Sequence, residues 1–528
     1  MLAPRSRVCP RVVRSMSGDG LARDALLARV RKVPQWDVIV IGGGASGLGC
    51  AVDASARGYR TLLLEAHDFA KGTSSRATKL IHGGVRYLAQ GNLPLVHEAL
   101  VERARLLQNA PHLVRPLRFV VPAYHWLDIP KFGVGMGCYD LLAGMHGIGH
   151  SRVLDAASTV VALPTVNPAG LRGGVAYWDA QFDDARLAIA LLRTHLDLGG
   201  LALNYFPVDE LVGEDGRVRG VRAHDAETGE ALHLSARVVI NATGVWADEV
   251  RRLERPQARP LLKPSQGVHL VVDADFLPGK DALLVPETAD GRVLFVIPWE
   301  GKVLIGTTDS PRADLPLEPE PLAGEIDFIL SAVRPYLVRC PAREDVRSVF
   351  VGLRPLIGAG DNSATRSLSR EHCIEVSPGG LVTVTGGKWT TYRRMAEETV
   401  DTARSCGGLP YRPCVTAALS LHGARAGDDP YGCDREAVAA LEGAGVQVHP
   451  AFGLSEAEVR YAVHCELARS VEDVLARRHR ALFLDARAAA EAASRVAVLM
   501  AGELGRDTAW CDAEVTRFGA LAACYARA

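Results

Sequence analysis

The sequence predicts an α/β fold, and three observations lead to that prediction. The run WDVIVI at 36–41 is short, apolar and rich in β-branched residues, which is typical of a buried parallel strand. A glycine-rich turn, a helical stretch to about Arg57 and a second strand at 60–65 complete a βαβ unit of about thirty residues. Strand-like and helical runs then alternate along most of the chain, which indicates α/β organisation with a mixed sheet.

The remaining elements follow in order. A helix is predicted near 94–109, because Val96, Leu100, Ala104 and Leu107 recur on one face and Pro111 ends it. Asp183 and Asp184 are expected to cap a helix that starts at Ala185. The other predicted strands are 117–122, 218–223, 236–241, 268–273, 293–298, 302–306 and 381–385, and the other predicted helices lie around 183–198, 246–253 and 390–404.

Composition changes along the chain predict its division. Residues 1–35 carry eight basic residues and two acidic ones and are expected to form a flexible extension; an organelle transit peptide and a start at Met16 are the alternatives. A large body spans 36–404 and a linker spans 405–430. From about 455 the pattern is helical, without a good strand, and 431–528 is predicted to be a helical C-terminal domain.

Length, charge and cysteine content exclude several classes of protein. The chain has 528 residues, 48% of them hydrophobic, with 60 Lys and Arg against 61 Asp and Glu. These values exclude a disordered chain and argue against a nucleic-acid binder, which needs a basic surface. No apolar run reaches the roughly 18 residues of a membrane-spanning helix. The odd number of cysteines, without a C-x-x-C pair, argues against a disulfide framework and indicates a reducing compartment.

The first turn carries a dinucleotide-binding pattern. Gly42, Gly44 and Gly47 form G-x-G-x-x-G directly after a strand and at the start of a helix, which is the context the motif requires. The glycines permit a tight turn, an approach to pyrophosphate and close helix packing, and the helix N-terminus offers free N–H groups. Glu65, at the end of the second strand, can accept from ribose hydroxyls and disfavours a 2′-phosphate. The alternative is a purely structural glycine turn.

Two later segments favour FAD over NAD. The strand VVINATG at 238–244 ends in small residues, and TGGK at 385–388 is a strand followed by glycines and a helix. The second offers another helix N-terminus and a lysine, which suits the electron-rich edge of a flavin. Each segment alone is more often an ordinary strand and turn. Together they indicate that segments far apart in the chain contact FAD.

Several blocks resemble the FAD-dependent, respiratory, quinone-reducing glycerol-3-phosphate dehydrogenases of the D-amino-acid-oxidase-like group. The resemblance is in order from about 36 to 404 and again at 469–486. The matching blocks are 37–53, 72–88 (GTSSRATKLIHGGVRYL), 179–187, 240–248, 264–272, 295–309, 352–356 (GLRPL) and 385–394 (TGGKWTTYRR). This resemblance implies a Rossmann-like FAD-binding domain interleaved within 36–404 with a mixed-sheet substrate domain.

The resemblance also implies site residues. His269 is the expected base or hydroxyl-orienting group, with Arg354 beside it and Lys388 at the flavin edge, and these three are the expected catalytic residues. Substrate binding is expected from His82, Arg86, Tyr87, Arg354 and Arg370. The expected FAD-binding residues are Gly42, Gly44, Ala45, Ser46, Gly47, Glu65, Thr73, Ser74, Ser75, Lys79, Leu80, His82, Gly83, Gly84, Ala242, Thr243, Gly244, Trp246, Gly387, Lys388, Trp389 and Thr390.

Two positions depart from the family pattern. Gln266 is neutral where the family often has a lysine, and Ala77 lacks a hydroxyl that is common at its position.

The resemblance also implies partners. The expected partners are glycerol 3-phosphate, a membrane quinone and a membrane contacted peripherally on its cytoplasmic face, with no nucleic acid and a possible homodimer. Candidate membrane contacts are 130–148, which could instead be a core-packed helix, and the basic cluster Arg477–Arg480. The alternative functions are a glycerol-3-phosphate oxidase and a flavoenzyme for another small hydroxy acid.

Overall fold

The structure is a computed structural model that describes residues 21–84, 88, 91–288, 290–358 and 372–527. Eighteen strands fall in two sheets, and the longer helices cover the sheets or form the C-terminal part. Within these ranges the α-helices are α1 (Arg23–Arg31), α2 (Ala45–Ala56), α3 (Leu93–Asn109), α4 (Asp128–Ala143), α5 (Ala156–Ala162), α6 (Asp184–Asp197), α7 (Ala247–Glu254), α8 (Glu325–Val333), α9 (Tyr392–Gly407), α10 (Arg435–Ala439), α11 (Glu456–Glu466), α12 (Ala481–Leu484), α13 (Ala486–Leu504) and α14 (Thr508–Tyr525).

The first sheet has parallel strands at its centre and antiparallel ones at its margin. Its central order is β17-β18-β10-β1-β2-β7, and the β8–β9 hairpin pairs with the first half of β10. Its strands are β1 (Trp36–Ile41), β2 (Thr61–Leu64), β7 (Leu201–Leu203), β8 (Val208–Glu214), β9 (Arg217–His224), β10 (Ala231–Asn241), β17 (His372–Val376) and β18 (Val382–Gly386). Because β18, β10, β1 and β2 run parallel, their carboxyl ends meet at one edge.

The second sheet is mixed, as the sequence predicted, and ten strands form it. Its order is β15-β11-β14-β13-β12-β4-β6-β3, with β16 on β11 and β5 on β6. Its strands are β3 (Leu80–Ile81), β4 (Val114–Ala123), β5 (Arg152–Asp155), β6 (Gly173–Phe182), β11 (Ser265–Asp273), β12 (Ala282–Val285), β13 (Leu294–Trp299), β14 (Lys302–Gly306), β15 (Ser310–Pro311) and β16 (Val346–Arg354). Strands of the two sheets alternate along the chain.

Local sequence explains most element boundaries. Asn92 caps α3 by accepting from the Leu95 N–H, and Val96, Leu100 and Ala104 face the core as their spacing predicted. Asp183 caps α6, accepting from the N–H groups of the next turn. The C-terminal helices pack on the second sheet, where Phe350 of β16 meets Phe483 of α12 edge to face. No described helix is both long and apolar enough to cross a bilayer.

Two predicted boundaries differ from the structure. Residues 21–35 are not a flexible extension, because α1 buries Leu26, Leu27 and Val30 in the core. Its Arg23 pairs with Asp225, about two hundred positions further along, which no local pattern could indicate. The predicted linker at 405–430 begins later, since α9 continues to Gly407. The segment that follows packs on the body, with buried Leu421 donating its N–H to the Asn109 carbonyl.

Candidate functional site

The main cavity opens along the carboxyl edge of the first sheet. Its volume is about 580 Å³, within the range of about 300–1,000 Å³ that is usual for ligand sites. Residues that follow β1, β2, β10 and β18 line it together, because parallel strands bring their ends to one edge. These residues include Gly42, Gly44, Ala45, Ser46, Glu65, Ala242, Thr243, Gly244, Trp246, Gly387, Lys388, Trp389 and Thr390.

The turn after β1 requires glycine at positions 42 and 47. Gly42 has a φ of +105°, a conformation that side chains disfavour. A Cβ at Gly47 would lie 1.8 Å from the Gly42 carbonyl oxygen, so α2 approaches this turn as closely as a glycine allows. Gly47 itself does not line the cavity and acts through packing. Gly44 precedes α2, whose first residues Ala45 and Ser46 line the cavity, and the positive end of the helix dipole at this N-terminus therefore fits a pyrophosphate.

Glu65 lies where β2 ends and closes one side of the turn. Its carboxylate accepts from the Gly43 N–H at 2.5 Å and from the His67 N–H at 2.9 Å. Burial raises the pKa of Glu65, and the two N–H donors work against that rise. A carboxylate fixed in this way beside the glycine turn fits the ribose hydroxyls of a dinucleotide.

The segment 72–84 supplies the wall that faces the second sheet. Thr73, Ser74, Leu80 and His82 line the main cavity, whereas Ser75 and Gly83 lie outside its wall and Gly84 lines a smaller neighbouring cavity. Ser74 accepts from the Ala45 N–H at 2.9 Å, and its carbonyl accepts from the Trp389 indole at 3.0 Å. This segment therefore joins the glycine turn to the 385–390 segment, as expected if both hold one cofactor.

Lys79 requires a correction, because its side chain does not reach either cavity. The ammonium group is fully buried and bound by Asp184 at 2.7 Å and 2.8 Å and by the Ser75 carbonyl at 2.8 Å. With all three hydrogen atoms engaged away from the cavity, Lys79 cannot donate to a cofactor. It holds the loop in place instead.

Two of the expected catalytic residues, His269 and Arg354, are neighbours at the catalytic end of the main cavity, and the third, Lys388, lines the same cavity. His269 on β11, Arg354 at the end of β16 and Lys388 after β18 all line it. The Arg354 guanidinium donates to the Gln266 carbonyl at 3.1 Å, to Thr307 Oγ1 at 3.1 Å and to the Thr308 carbonyl at 3.0 Å. These acceptors fix the plane of the guanidinium at the cavity wall.

His269 is enclosed in an apolar and cationic environment. Its ring stacks on Phe350 at a centroid distance of 4.8 Å, and its Nε2 lies 3.0 Å from Thr78 Oγ1. Burial, followed by the positive charges of Arg354 and Lys79, holds the pKa of His269 well below its usual range. The imidazole is therefore neutral at physiological pH.

The smaller cavity, of about 130 Å³, adjoins the catalytic end. It shares Thr78, Leu80, His82 and Arg354 with the main cavity, and it lies over the second sheet. Sequence reasoning missed its other residues, which are scattered over five strands and their loops. They include Phe119, Tyr177, Asp179, Arg292, Phe295, Thr307, Thr308 and Asp309, and the family blocks 179–187 and 295–309 signalled part of this set.

Five further positions complete the comparison with the sequence predictions. Arg86, Tyr87 and Arg370 lie outside the described residues. Gln266 points away from both cavities, donating to Glu325 at 2.6 Å, so its neutral side chain leaves the site unchanged. Ala77 does line the main cavity.

The basic cluster Arg477–Arg480 also requires a correction, since its arginines are buried rather than displayed to a membrane. Arg477 and Arg478 both pair with Asp68, which lies beside the cofactor cavity, and Arg480 pairs with Asp184 at 3.3 Å. Nearby, Lys71 of the cavity wall is paired with Glu318 at 2.6 Å and with Glu472. These contacts tie the helical C-terminal part to the loop that follows β2.

Comparisons with known proteins agree with this geometry. The FAD dependent oxidoreductase family profile matches residues 37–401, and the profile of the C-terminal domain of alpha-glycerophosphate oxidase matches 382–511. The mitochondrial glycerol-3-phosphate dehydrogenase of Rattus norvegicus is 40% identical over 93% of this chain and 73% of that protein. The mitochondrial enzyme of Arabidopsis thaliana is 40% identical over 91% of this chain and 84% of that protein.

Similar solved structures support the same family. The glycerol-3-phosphate dehydrogenase from Bacillus halodurans, complexed with FAD, superposes with a TM-score of 0.76 at 30% identity, covering 97% of this chain and 98% of that one. The L-alpha-glycerophosphate oxidase from Mycoplasma pneumoniae superposes with a TM-score of 0.55 at 17% identity, over 72% of this chain and 97% of that one. That second likeness is one of fold alone.

Proposed function

The chain belongs to the FAD-dependent glycerol-3-phosphate dehydrogenases, and on that premise we propose that it oxidises sn-glycerol 3-phosphate to dihydroxyacetone phosphate and passes the electrons to a membrane quinone. The observation that carries this proposal is that Arg354, His269 and Lys388 all line the cavity that the glycine turn also lines. Two cations and a neutral imidazole suit a small phosphorylated alcohol, because the phosphate needs cations and the hydroxyl needs a proton acceptor. We further propose the first sheet as the FAD-binding domain and the second as the substrate domain.

Bound FAD supplies the hydride acceptor. The residues that would hold its pyrophosphate are Gly44, Ala45 and Ser46 at the start of α2, where the positive end of the helix dipole favours anions. Glu65 would hold ribose hydroxyls, and Lys388 would lie at the flavin edge. The glycine turn and the length of the cavity along four strand ends support this assignment.

We propose that Arg354 holds the phosphate end of the substrate. Its guanidinium is already oriented by three neutral acceptors and lies 3.3 Å from the Asp309 carboxylate. A cation that is fixed before the substrate arrives loses little entropy on binding, and its planar fork suits a phosphate. Arg86, Tyr87 and Arg370, which the family resemblance adds, remain part of the proposal.

His269 is proposed to be the base that receives the proton of the substrate hydroxyl during the oxidation. The low pKa of the ring means that the neutral, proton-accepting form is fully populated. The positive charges of Arg354 and Lys79 disfavour the protonated ring. The dianionic phosphate of the substrate would partly offset those charges.

Peripheral membrane attachment is proposed through one face of α4. The exposed face carries Lys131, Val134 and Leu141, at spacings of three and seven positions. Leu127, directly before the helix, and Met145, just after it, are exposed as well. Leu141 and Met145 are 82% and 99% exposed, although Met136 and Tyr139 on the opposite face are buried. An exposed apolar stripe with a lysine suits the interface of an anionic membrane, and we place this contact on the cytoplasmic face.

The test of the function is reduction of the bound flavin. The purified yellow protein is mixed with glycerol 3-phosphate without oxygen, and the absorbance of the oxidised flavin is followed. We expect complete bleaching; persistence of the yellow colour would contradict the proposal. The acceptor is then tested by comparing reduction of a short-chain quinone with peroxide formation in air, and quantitative peroxide formation would favour the oxidase alternative.

A further inference from the structure

Thr78 lies between the two cavities, and sequence reasoning gave it no role. Its hydroxyl is 3.0 Å from His269 Nε2. Thr78 and Arg354 line both cavities, whereas His269 lines only the main one. If the main cavity holds the flavin and Arg354 holds a phosphate, the smaller cavity is where the rest of a small substrate fits. Thr78 then presents its hydroxyl to the substrate in the smaller cavity, whereas His269 does not line that cavity.

Both chain neighbours of Thr78 are bound by one carboxylate, Ala77 through its backbone and Lys79 through its side chain. The N–H of Ala77 donates to Asp184 Oδ2 at 2.8 Å, and the ammonium group of Lys79 binds both oxygens of the same side chain. Lys79 has a φ of +63°, which is unusual for a residue other than glycine and is maintained by these contacts. Because both neighbours are fixed, the Thr78 side chain is presented at a defined place.

The ring of His269 is equally constrained. It is stacked on Phe350, and among the described residues Thr78 is its sole hydrogen-bond partner, since Nδ1 has none. A hydroxyl can donate through its hydrogen while it accepts at its oxygen, so Thr78 can serve two partners at once. One partner is Nε2, and the other is a group in the smaller cavity.

We propose that Thr78 relays the proton of the substrate hydroxyl to His269. As the hydride leaves C2 for the flavin, the O–H bond of the substrate breaks and a new O–H bond forms on Thr78 Oγ1. The original Oγ1–H bond breaks as an N–H bond forms on His269 Nε2. Thr78 ends unchanged, His269 gains one proton, and the substrate has lost two electrons and two hydrogens. This relay rests on the proposed function.

The experiment compares Thr78→Val with Thr78→Ser. Valine keeps the shape of threonine without the hydroxyl, and serine keeps the hydroxyl. The limiting rate of anaerobic flavin reduction by glycerol 3-phosphate is measured from pH 6 to 9, together with FAD content and unfolding temperature. We expect the limiting rate of the valine variant to fall about 100-fold with normal FAD content, and that of the serine variant to stay within about threefold of the parent.

Binding of propyl phosphate, which lacks the C2 hydroxyl, separates a relay from a general distortion of the site. Its affinity, followed by the flavin spectrum, should be the same in the parent and in the valine variant. In a relay, adding His269→Asn to Thr78→Val should slow reduction little further, because both residues serve one proton path. A valine variant as fast as the parent, or a serine variant as slow as the valine variant, would overturn the relay. If the parent protein itself is not bleached, the proposed function fails instead.

Discussion

Lys79 and Asp184 form an ion pair that is completely shielded from solvent, with Nζ 2.8 Å and 2.7 Å from the two carboxylate oxygens. The rings of Trp299, Phe350 and Phe483 surround the ammonium group at 5.1–5.3 Å. Burial, and then the charge of Arg480, lowers the pKa of Lys79 to about 7, although Asp184 opposes this change. The pair joins the cofactor loop to α6 and, through Arg480, to the C-terminal helices.

The two partners of this pair should not be equally important for stability. Asp184→Asn leaves the buried Lys79 without a bound carboxylate and leaves Arg480 with only the more distant Asp183 at 3.9 Å, so we expect it to lower the free energy of unfolding by about 3–5 kcal/mol. Lys79→Met leaves Asp184 paired with Arg480 at 3.3 Å and should cost less. Urea denaturation of the FAD-loaded protein measures both values.

The neighbouring aspartate provides the control for this measurement. Asp183→Ala keeps the Lys79–Asp184 pair but removes the N-cap of α6 and a distant contact with Arg480 at 3.9 Å, and it should cost about 1 kcal/mol. A Lys79→Met protein that is as unstable as the Asp184→Asn protein would contradict the inference that Arg480 remains as a partner of Asp184 when Lys79 is absent.

Gly47→Ala should abolish FAD binding. Its Cβ would lie 1.8 Å from the Gly42 carbonyl oxygen, so α2 must move away from the turn and carry its N-terminal N–H groups out of position. We expect an alanine protein that is folded but colourless, with a ratio of FAD to protein below about one tenth of the parent value. The ratio is read from the absorbance spectrum after gel filtration.

Gly502→Ala is the matched control for this glycine. It lies within α13, a Cβ there meets nothing within 4 Å, and alanine favours a helix over glycine. This variant should keep its FAD and gain slightly in stability. A yellow Gly47→Ala protein with normal FAD content would contradict the inference that FAD binding requires α2 to pack this closely against the Gly42 turn.

The part of the site that follows from strand order could be predicted from the sequence. Gly42, Glu65, Ala242 and Gly387 each follow an apolar run, and parallel strands bring such positions to one edge whatever the rest of the fold. The catalytic end was accessible only through the family resemblance. His269 sits in the run GVHLVV, where nothing local separates a catalytic histidine from a buried one.

Pairings between distant charges could not be predicted, because a charged residue carries no local mark of its partner. The sequence assigns Lys79 to the cofactor and Arg477–Arg480 to a membrane. Lys79 instead pairs with Asp184, more than one hundred positions away, and Arg477 pairs with Asp68, about four hundred positions away, besides its neighbours Glu472 and Asp473. Thr78 was missed for the same reason. Its hydrogen bond to His269 exists only once the two sheets have packed together.

Stability should depend on pH through His422. Its Nδ1 lies 2.6 Å from Asp197 and its Nε2 lies 2.5 Å from Asp434, which connects α6 to the C-terminal part. Burial and nearby Arg193 lower its pKa, but the two carboxylates outweigh them and raise it above the usual value. The stabilisation is therefore complete at pH values below about 6.5, the unfolded value, and is lost as the pH rises through the folded value.

Thermal unfolding of His422→Gln against the parent measures this contribution. We expect the difference in unfolding temperature to be several degrees at pH 6 and to shrink toward pH 9. His224→Gln is the control, since His224 contacts only Asp209 and is more exposed. A difference that grows with pH would contradict the assignment of a raised pKa to His422.

Membrane binding should depend on the exposed face of α4. Leu141→Glu combined with Met145→Glu places two charges where apolar side chains are almost fully exposed, so folding should be unaffected. Removing two inserted side chains should weaken binding to vesicles that contain phosphatidylglycerol by at least about tenfold, measured by co-sedimentation. Val498→Glu changes an exposed valine on α13 and should bind as the parent does. Flavin reduction by glycerol 3-phosphate in solution should be the same in all three proteins, whereas turnover with vesicle-embedded quinone should fall only in the α4 variant. Equal vesicle binding by the α4 variant and the parent would place the membrane contact elsewhere.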